Sequence, residues 1–148
     1  SRVISPQYLV WLLGLAAVCL TSGRTPLARL MGTRFRAYHR PAAAAEALTT
    51  CVRAVLDEAG IDAASVRVVA PLGAEGEEDA VLRALPPGAD PRLIRCRPLL
   101  GDASAAATAF QTGAVLALAE EGGLPPGATA LVTGIDRDGT VGCALLGG

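Results

Sequence analysis

Few residues in this chain could do chemistry. Four cysteines (Cys19, Cys51, Cys96 and Cys143) and one histidine (His39) are the only thiol and imidazole groups in 148 residues. A cysteine becomes a nucleophile when a nearby base or cation lowers its pKa. A zinc site needs about four clustered ligands. No two cysteines form a CxxC pair and the single histidine stands alone, so neither a metal site nor a cofactor-binding residue is expected. Each cysteine falls in an apolar run, where a thiol behaves as a small buried hydrophobe. All four read as reduced structural thiols, with Cys51 and Cys96 in the core and not acting as nucleophiles, which fits a cytoplasmic setting. Two charged residues sit near a glycine turn, Arg97 and Asp102. Asp102 follows Gly101 and suits a helix N-cap; a catalytic acid is the alternative.

Composition bounds what surrounds these groups. The chain is 51% hydrophobic but only 3% aromatic, so its core is built from small aliphatic groups, within the length of one domain. Thirteen basic residues against fourteen acidic ones leave no field to attract nucleic acid or an anionic membrane. The apolar stretch Tyr8 to Leu20 is shorter than the roughly 20 residues a spanning helix needs, and it lacks a basic leader. It reads as a buried strand with a bend at Gly14. The chain opens on Ser1 and not on Met, which leaves a fragment and a processed product both open.

Periodicity supplies the remaining elements. Thr33 to His39 alternates as a strand, with Phe35, Ala37 and His39 on one face and Arg34, Arg36 and Tyr38 on the other. Pro41 opens a helix, where its missing N–H costs nothing. Leu48, Val52, Val55, Leu56 and Ala59 form its apolar stripe, and Gly60 ends it. Val66 to Val69 is a β-branched strand leading to the turn Pro71-Leu72-Gly73. A short helix is expected over Glu77 to Leu85, its acidic first turn (Glu77, Glu78, Asp79) suited to the helix dipole. Leu93 to Cys96 is the next strand. A helix then runs from Asp102 to about Glu120. Ala130 to Ile135 and Val141 to Leu146 close the chain as a hairpin around Asp136-Arg137-Asp138-Gly139.

The helix after Asp102 constrains the architecture. It carries no charge from Ala103 to Ala119, and a helix without a polar face must be buried on most sides. The other helices are amphipathic or short and cannot supply a second layer beyond it. A partner chain, or a missing half, is expected to cover it.

The order strand, strand, helix, strand, short helix, strand, buried helix, hairpin resembles the second half of the thiolase fold, and local motifs resemble the β-ketoacyl synthases. Ala37-Tyr38-His39 followed by Pro41 is similar to that family's DAYH segment. Ala54 to Val69, AVLDEAGIDAASVRVV, resembles its AL-x-x-AG-(I/L)-x-P-x-x-(I/V)-x-x-V stretch. Without gaps, Ala70-Pro71-Leu72-Gly73-Ala74 falls under HGTGT, and Leu82-Arg83-Ala84-Leu85 falls under the end of the following helix. Arg97 to Thr108, RPLLGDASAAAT, falls under K-x-x-x-GHT-x-AAG. Gly139-Thr140-Val141-Gly142 resembles the closing GG-T-N-A segment. The resemblance runs from about Leu15 to the end. It implies a single domain over residues 1–148, an α/β thiolase-like C-terminal half with a mixed five-stranded sheet, helices on its faces and one helix strongly buried.

The resemblance also implies what is missing. The family's two catalytic histidines fall on Ala70 and Asp102 and its lysine on Arg97; its asparagines are absent, and its nucleophilic cysteine belongs to the N-terminal half. His39 falls at a histidine that is not catalytic in the family. Condensation needs a thiolate to carry the acyl group and donors beside the carbonyl where charge develops. Ala70 can donate nothing, and an ionised Asp102 would repel an oxyanion. No catalytic residue is therefore assigned. The function implied is a non-catalytic, chain-length-factor-like subunit in polyketide or fatty-acid-type biosynthesis. Its partners would be a ketosynthase-type subunit (or the missing N-terminal half) and an acyl carrier protein. The alternatives are the C-terminal half of a split ketosynthase and a degenerate structural or binding module.

Overall fold

The computed structural model describes residues 25–101 and 106–148. The expected strand at Tyr8 to Leu20 and the site residue Asp102 lie outside the described residues.

The chain forms β1 (Arg29–Ala37), a 3-10 turn (Pro41–Ala43), α1 (Ala44–Ala59), β2 (Val66–Pro71), α2 (Glu77–Ala84), β3 (Arg92–Leu93), α3 (Arg97–Leu100), α4 (Ala107–Glu120), β4 (Thr129–Ile135) and β5 (Thr140–Gly147). The strands make one mixed sheet in the order β1-β5-β4-β2-β3. β2 pairs in parallel with both β3 and β4, whereas β5 runs antiparallel to both β4 and β1. The mixed five-stranded sheet and the closing hairpin agree with the sequence reading.

Two apolar layers flank the sheet. On one face, α1 and α2 pack Leu48, Cys51, Val52, Val55 and Val81 against Val69, Leu131, Val141, Cys143 and Leu145. On the other, α4 sets Val115 and Leu118 over Val68, Ala70, Ala130 and Val132. Neighbouring residues of β2 thus point to opposite layers, and a strand covered on both sides reads as a continuous apolar run. α1 ends as expected, with Gly60 in the left-handed conformation (φ 66°). Thr49 of α1 donates its hydroxyl to the Ala80 carbonyl of α2 at 2.8 Å, and Arg53 reaches the Arg83 carbonyl at 2.9 Å. These bonds fix α2, and with it the start of the site described below.

Three boundaries differ from the sequence reading. β1 begins at Arg29, because β5 extends to Gly147 and pairs there, and it ends at Ala37. His39 lies in a bend ahead of Pro41, since the residue before a proline is held extended and the chain must turn before the helix. β3 is two residues long, and Cys96 stands at the head of the helical turn α3. Pro98 falls in the first turn of α3, where proline favours helix entry. α4 is described from Ala107, and only Gln111, Thr112, Val115 and Leu118 of its residues are buried. The burial expected of this helix is met on the face toward the sheet. Its opposite face, with Phe110, Gly113 and Ala117, is exposed among the described residues, so the burial expected on most sides is not met there.

Candidate functional site

In open sheets with parallel strands, ligands gather beyond the carboxyl ends of those strands. Here β2 and β4 end side by side, with Ala70 opposite Val132 and Pro71 opposite Thr133. Ala70 is fully buried and presents a methyl group. Its carbonyl accepts a hydrogen bond from Gln111 Nε2 of α4 at 2.7 Å, and the same nitrogen donates to the Thr133 carbonyl at 2.9 Å. One amide therefore closes both strand ends and anchors α4 over them.

The loop leaving β2 is held by Glu77, the first residue of α2, which is 0% exposed. Its Oε2 accepts from the Leu72 backbone N–H at 2.6 Å and from the Thr133 hydroxyl at 3.1 Å. Its Oε1 accepts from the Ile135 N–H at 3.3 Å. These donors favour the ionised carboxylate, but burial outweighs them and pushes Glu77 up to about 7.

Arg97 lies across the same loop. Its Nη1 donates to the Gly73 carbonyl at 3.0 Å. Gly73 has a φ of +101°, and a Cβ there would stand 3.0 Å from Arg97 Cδ, so both conformation and contact require glycine. The loop, α2 and α3 enclose an open cleft of about 430 Å³, lined in part by Gly73, Gly76, Glu78, Arg95 and Arg97. Arg95 holds Glu78 through two hydrogen bonds of 2.6 and 2.9 Å, and this guanidinium keeps the Glu78 carboxyl below its usual range. Among the described residues the lining contains no thiol and no imidazole.

Of the positions singled out in the sequence, Ala70 and Arg97 come together at this edge, linked through Pro71 to Gly73. His39 lies at the same end of the sheet beyond β1, three strands from Ala70, or about 14 Å at the usual strand spacing. It is exposed. Cys51 and Cys143 pack on the opposite face of the sheet from Ala70. Cys96 is half-buried, and burial pushes its thiol up. Sequence reasoning missed Gln111 and Glu77. Gln111 was legible as the one amide in an uncharged apolar run, since a buried amide must find partners. Glu77 was masked by its acidic neighbours: all three suited the helix dipole, yet only this one turns inward.

No protein-family model matches the sequence, and neither does any curated protein. Among solved structures, this architecture is the thiolase-like ketosynthase fold, and the chain corresponds to its C-terminal region. The ishigamide ketosynthase/chain length factor is 36% identical, with a TM-score of 0.72, over 84% of this chain and 36% of that one. The oxazolomycin ketosynthase domain OzmH KS8 of Streptomyces albus JA3453 is 18% identical, with a TM-score of 0.73, over 90% of this chain and 48% of that one. The AntDE:AntF complex, a type II PKS acyl-carrier protein with its ketosynthase bound to the hexaketide, matches at 19% identity and a TM-score of 0.67, over 86% of this chain and 40% of that one. The chain shares the ketosynthase fold of these structures and resembles their C-terminal region, and it spans well under two thirds of the chains it matches: 36%, 48% and 40% of these three.

Proposed function

We propose that this chain is part of a chain-length-factor-like subunit that performs no condensation itself and partners an active β-ketoacyl synthase in polyketide or fatty-acid-type biosynthesis in the cytoplasm. The observation that carries this reading is the buried methyl of Ala70 at the carboxyl end of β2, where the resemblance to the synthases puts a histidine. Acyl transfer needs a thiolate to carry the chain and hydrogen-bond donors aimed at the oxygen that becomes negative. At this edge Gln111 spends its amide donor on two carbonyls, and Arg97 is tied to the Gly73 carbonyl through Nη1. The identity to the ishigamide ketosynthase/chain length factor supports the same reading. So does the open apolar face of α4, which suits cover by the N-terminal half of the fold or by a synthase subunit. An acyl carrier protein is the second proposed partner; the AntDE:AntF structure pairs a carrier protein with its ketosynthase.

Co-expression with the ketosynthase and carrier protein encoded beside it tests this. The expected result is a co-purifying pair whose product length changes with substitutions in this chain, and a chain that alone neither takes an acyl group nor condenses. Condensation by the isolated chain would overturn the proposal. Turnover by the pair that falls with Asp102→Asn would instead assign this chain to a split synthase.

A further inference from the structure

We infer that Cys51 and Cys143 form a reversible disulfide, a redox modification site in the layer between α1 and the sheet. The two sulfurs lie 3.8 Å apart. Cys51 sits midway along α1 and is 1% exposed; Cys143 lies in β5 and is 4% exposed. Both belong to a packed layer that is otherwise aliphatic (with Leu48, Val52, Val55, Val141 and Leu145). A disulfide brings the sulfurs to about 2.05 Å, so the pair must close by under about 2 Å between α1 and β5, which already pack together.

The pair is asymmetric, as a working dithiol requires. The Cys143 thiol donates toward Cys51. Arg34 stands opposite Cys143 in the β1–β5 register and Arg36 opposite Val141, so both project toward the layer holding the two sulfurs. The Cys143 hydrogen bond, helped by these two cations, pulls the Cys51 thiol down, whereas its bond to Cys51 and its burial push Cys143 up. Taking Cys51, the acceptor of the Cys143 hydrogen bond, as the attacking sulfur leaves Cys143 as the resolving one.

With a peroxide as oxidant, the Cys51 thiolate attacks one oxygen and the O–O bond breaks. Hydroxide leaves and takes up a proton as water, and Cys51 becomes a sulfenic acid. Cys143 then attacks that sulfur and gives up its proton; the S–O bond breaks and a second water departs. Two thiols and one peroxide yield one disulfide and two waters, with two electrons passing from sulfur to oxygen. A dithiol reductant reverses the cross-link by exchange. The bond would join residues 92 positions apart and fix α1 to β5 covalently.

The test treats the full chain with hydrogen peroxide, alkylates remaining thiols under denaturing conditions, and maps tryptic peptides by mass spectrometry. The expected result is a cross-linked pair containing Cys51 and Cys143, about 2 Da lighter than the two reduced peptides, lost on treatment with dithiothreitol. The melting temperature should rise on oxidation and return on reduction. Cys51→Ser and Cys143→Ser should each abolish both changes; the peptide map of the unsubstituted chain stands even if a variant fails to fold. Full alkylation of both cysteines after peroxide, or cross-links that involve Cys96 or Cys19 instead, would overturn the inference.

Discussion

Gln111 of α4 donates to the carbonyl of Ala70 at 2.7 Å and, through the same nitrogen, to that of Thr133 at 2.9 Å. This helix, uncharged until its last residue Glu120, is therefore registered on the sheet by a single amide. Removing that amide takes a buried donor from both carbonyls, and only that of Thr133 keeps another, the Leu72 N–H at 3.1 Å; an orphaned acceptor costs more than the net worth of its bond. Gln111→Leu is expected to lower stability by roughly 1–3 kcal/mol in urea unfolding. Gln111→Glu should do no better, because an ionised carboxylate offers oxygens to carbonyl oxygens.

Glu77 makes stability depend on pH in an unusual direction for a carboxylate. Its ordinary value of 4.5 applies in the unfolded chain, and burial raises it to about 7 in the fold. Between these values the folded protein keeps a proton that the unfolded chain has lost. The stability that Glu77 contributes is therefore fully present below about 4.5 and declines as pH rises toward about 7, by an amount on the order of 3 kcal/mol, while Glu78, held below its usual range, contributes in the opposite direction at acid pH. Glu77→Gln removes the titration. Unfolding curves from pH 4 to 8 should then show a flatter dependence for the variant, starting from a lower stability, because an amide cannot accept from all of the Leu72, Thr133 and Ile135 donors.

What the sequence made legible follows from where the chemistry is periodic. The stripe Leu48, Val52, Val55 and Leu56 with Gly60 behind it located α1, and the turn at Asp136 to Gly139 located the β4–β5 hairpin. Both are local signals: α1 ends at Ala59 as expected but starts at Ala44, behind the 3-10 turn at Pro41–Ala43, and the hairpin strands formed within a residue of the expected bounds. β3 was overestimated because Leu93 to Cys96 looks like a strand until Pro98 draws Arg97 into a helical turn. The site was half legible. Ala70 and Arg97 could be placed by resemblance; Ala70 lies near the end of β2 and Arg97, in α3, touches Gly73 of the loop that follows it. The two side chains that build that edge, Gln111 and Glu77, reach partners 41 and 58 residues away in sequence, and no local pattern encodes such distances.

Gly73 and Arg97 form a contact that a substitution series can separate into its parts. The φ of +101° and the 3.0 Å approach to Arg97 Cδ both oppose a side chain at residue 73. Gly73→Ala is expected to cost roughly 1–3 kcal/mol, read as a lower melting temperature. Arg97→Ala in the same chain removes the 3.0 Å contact but leaves the residue 97 Cβ at 3.3 Å and the backbone strain, so the double variant should recover only part of the loss. Full recovery would mean that the backbone at residue 73 relaxes freely.

The exposed apolar residues of α3 and α4 predict how the isolated chain behaves. Leu99 is 85% exposed and Phe110 46% exposed, so neither contributes much to the fold of this chain alone. Contiguous exposed apolar surface marks an interface or an aggregation hazard. The chain by itself should bind an apolar fluorescent dye and run larger than a monomer on size exclusion as concentration rises. Leu99→Gln should reduce both signals with a stability change within about 0.5 kcal/mol, as for surface substitutions generally. Phe110→Gln should reduce them further, because its ring stands on the helix face that the sheet leaves uncovered. If that face is where the other half of the ketosynthase fold packs, supplying that half in trans should quench the dye signal of the unsubstituted chain, and Phe110→Gln should weaken the association by tenfold or more. Equal association with and without the Phe110 ring would place the covering surface elsewhere on the domain.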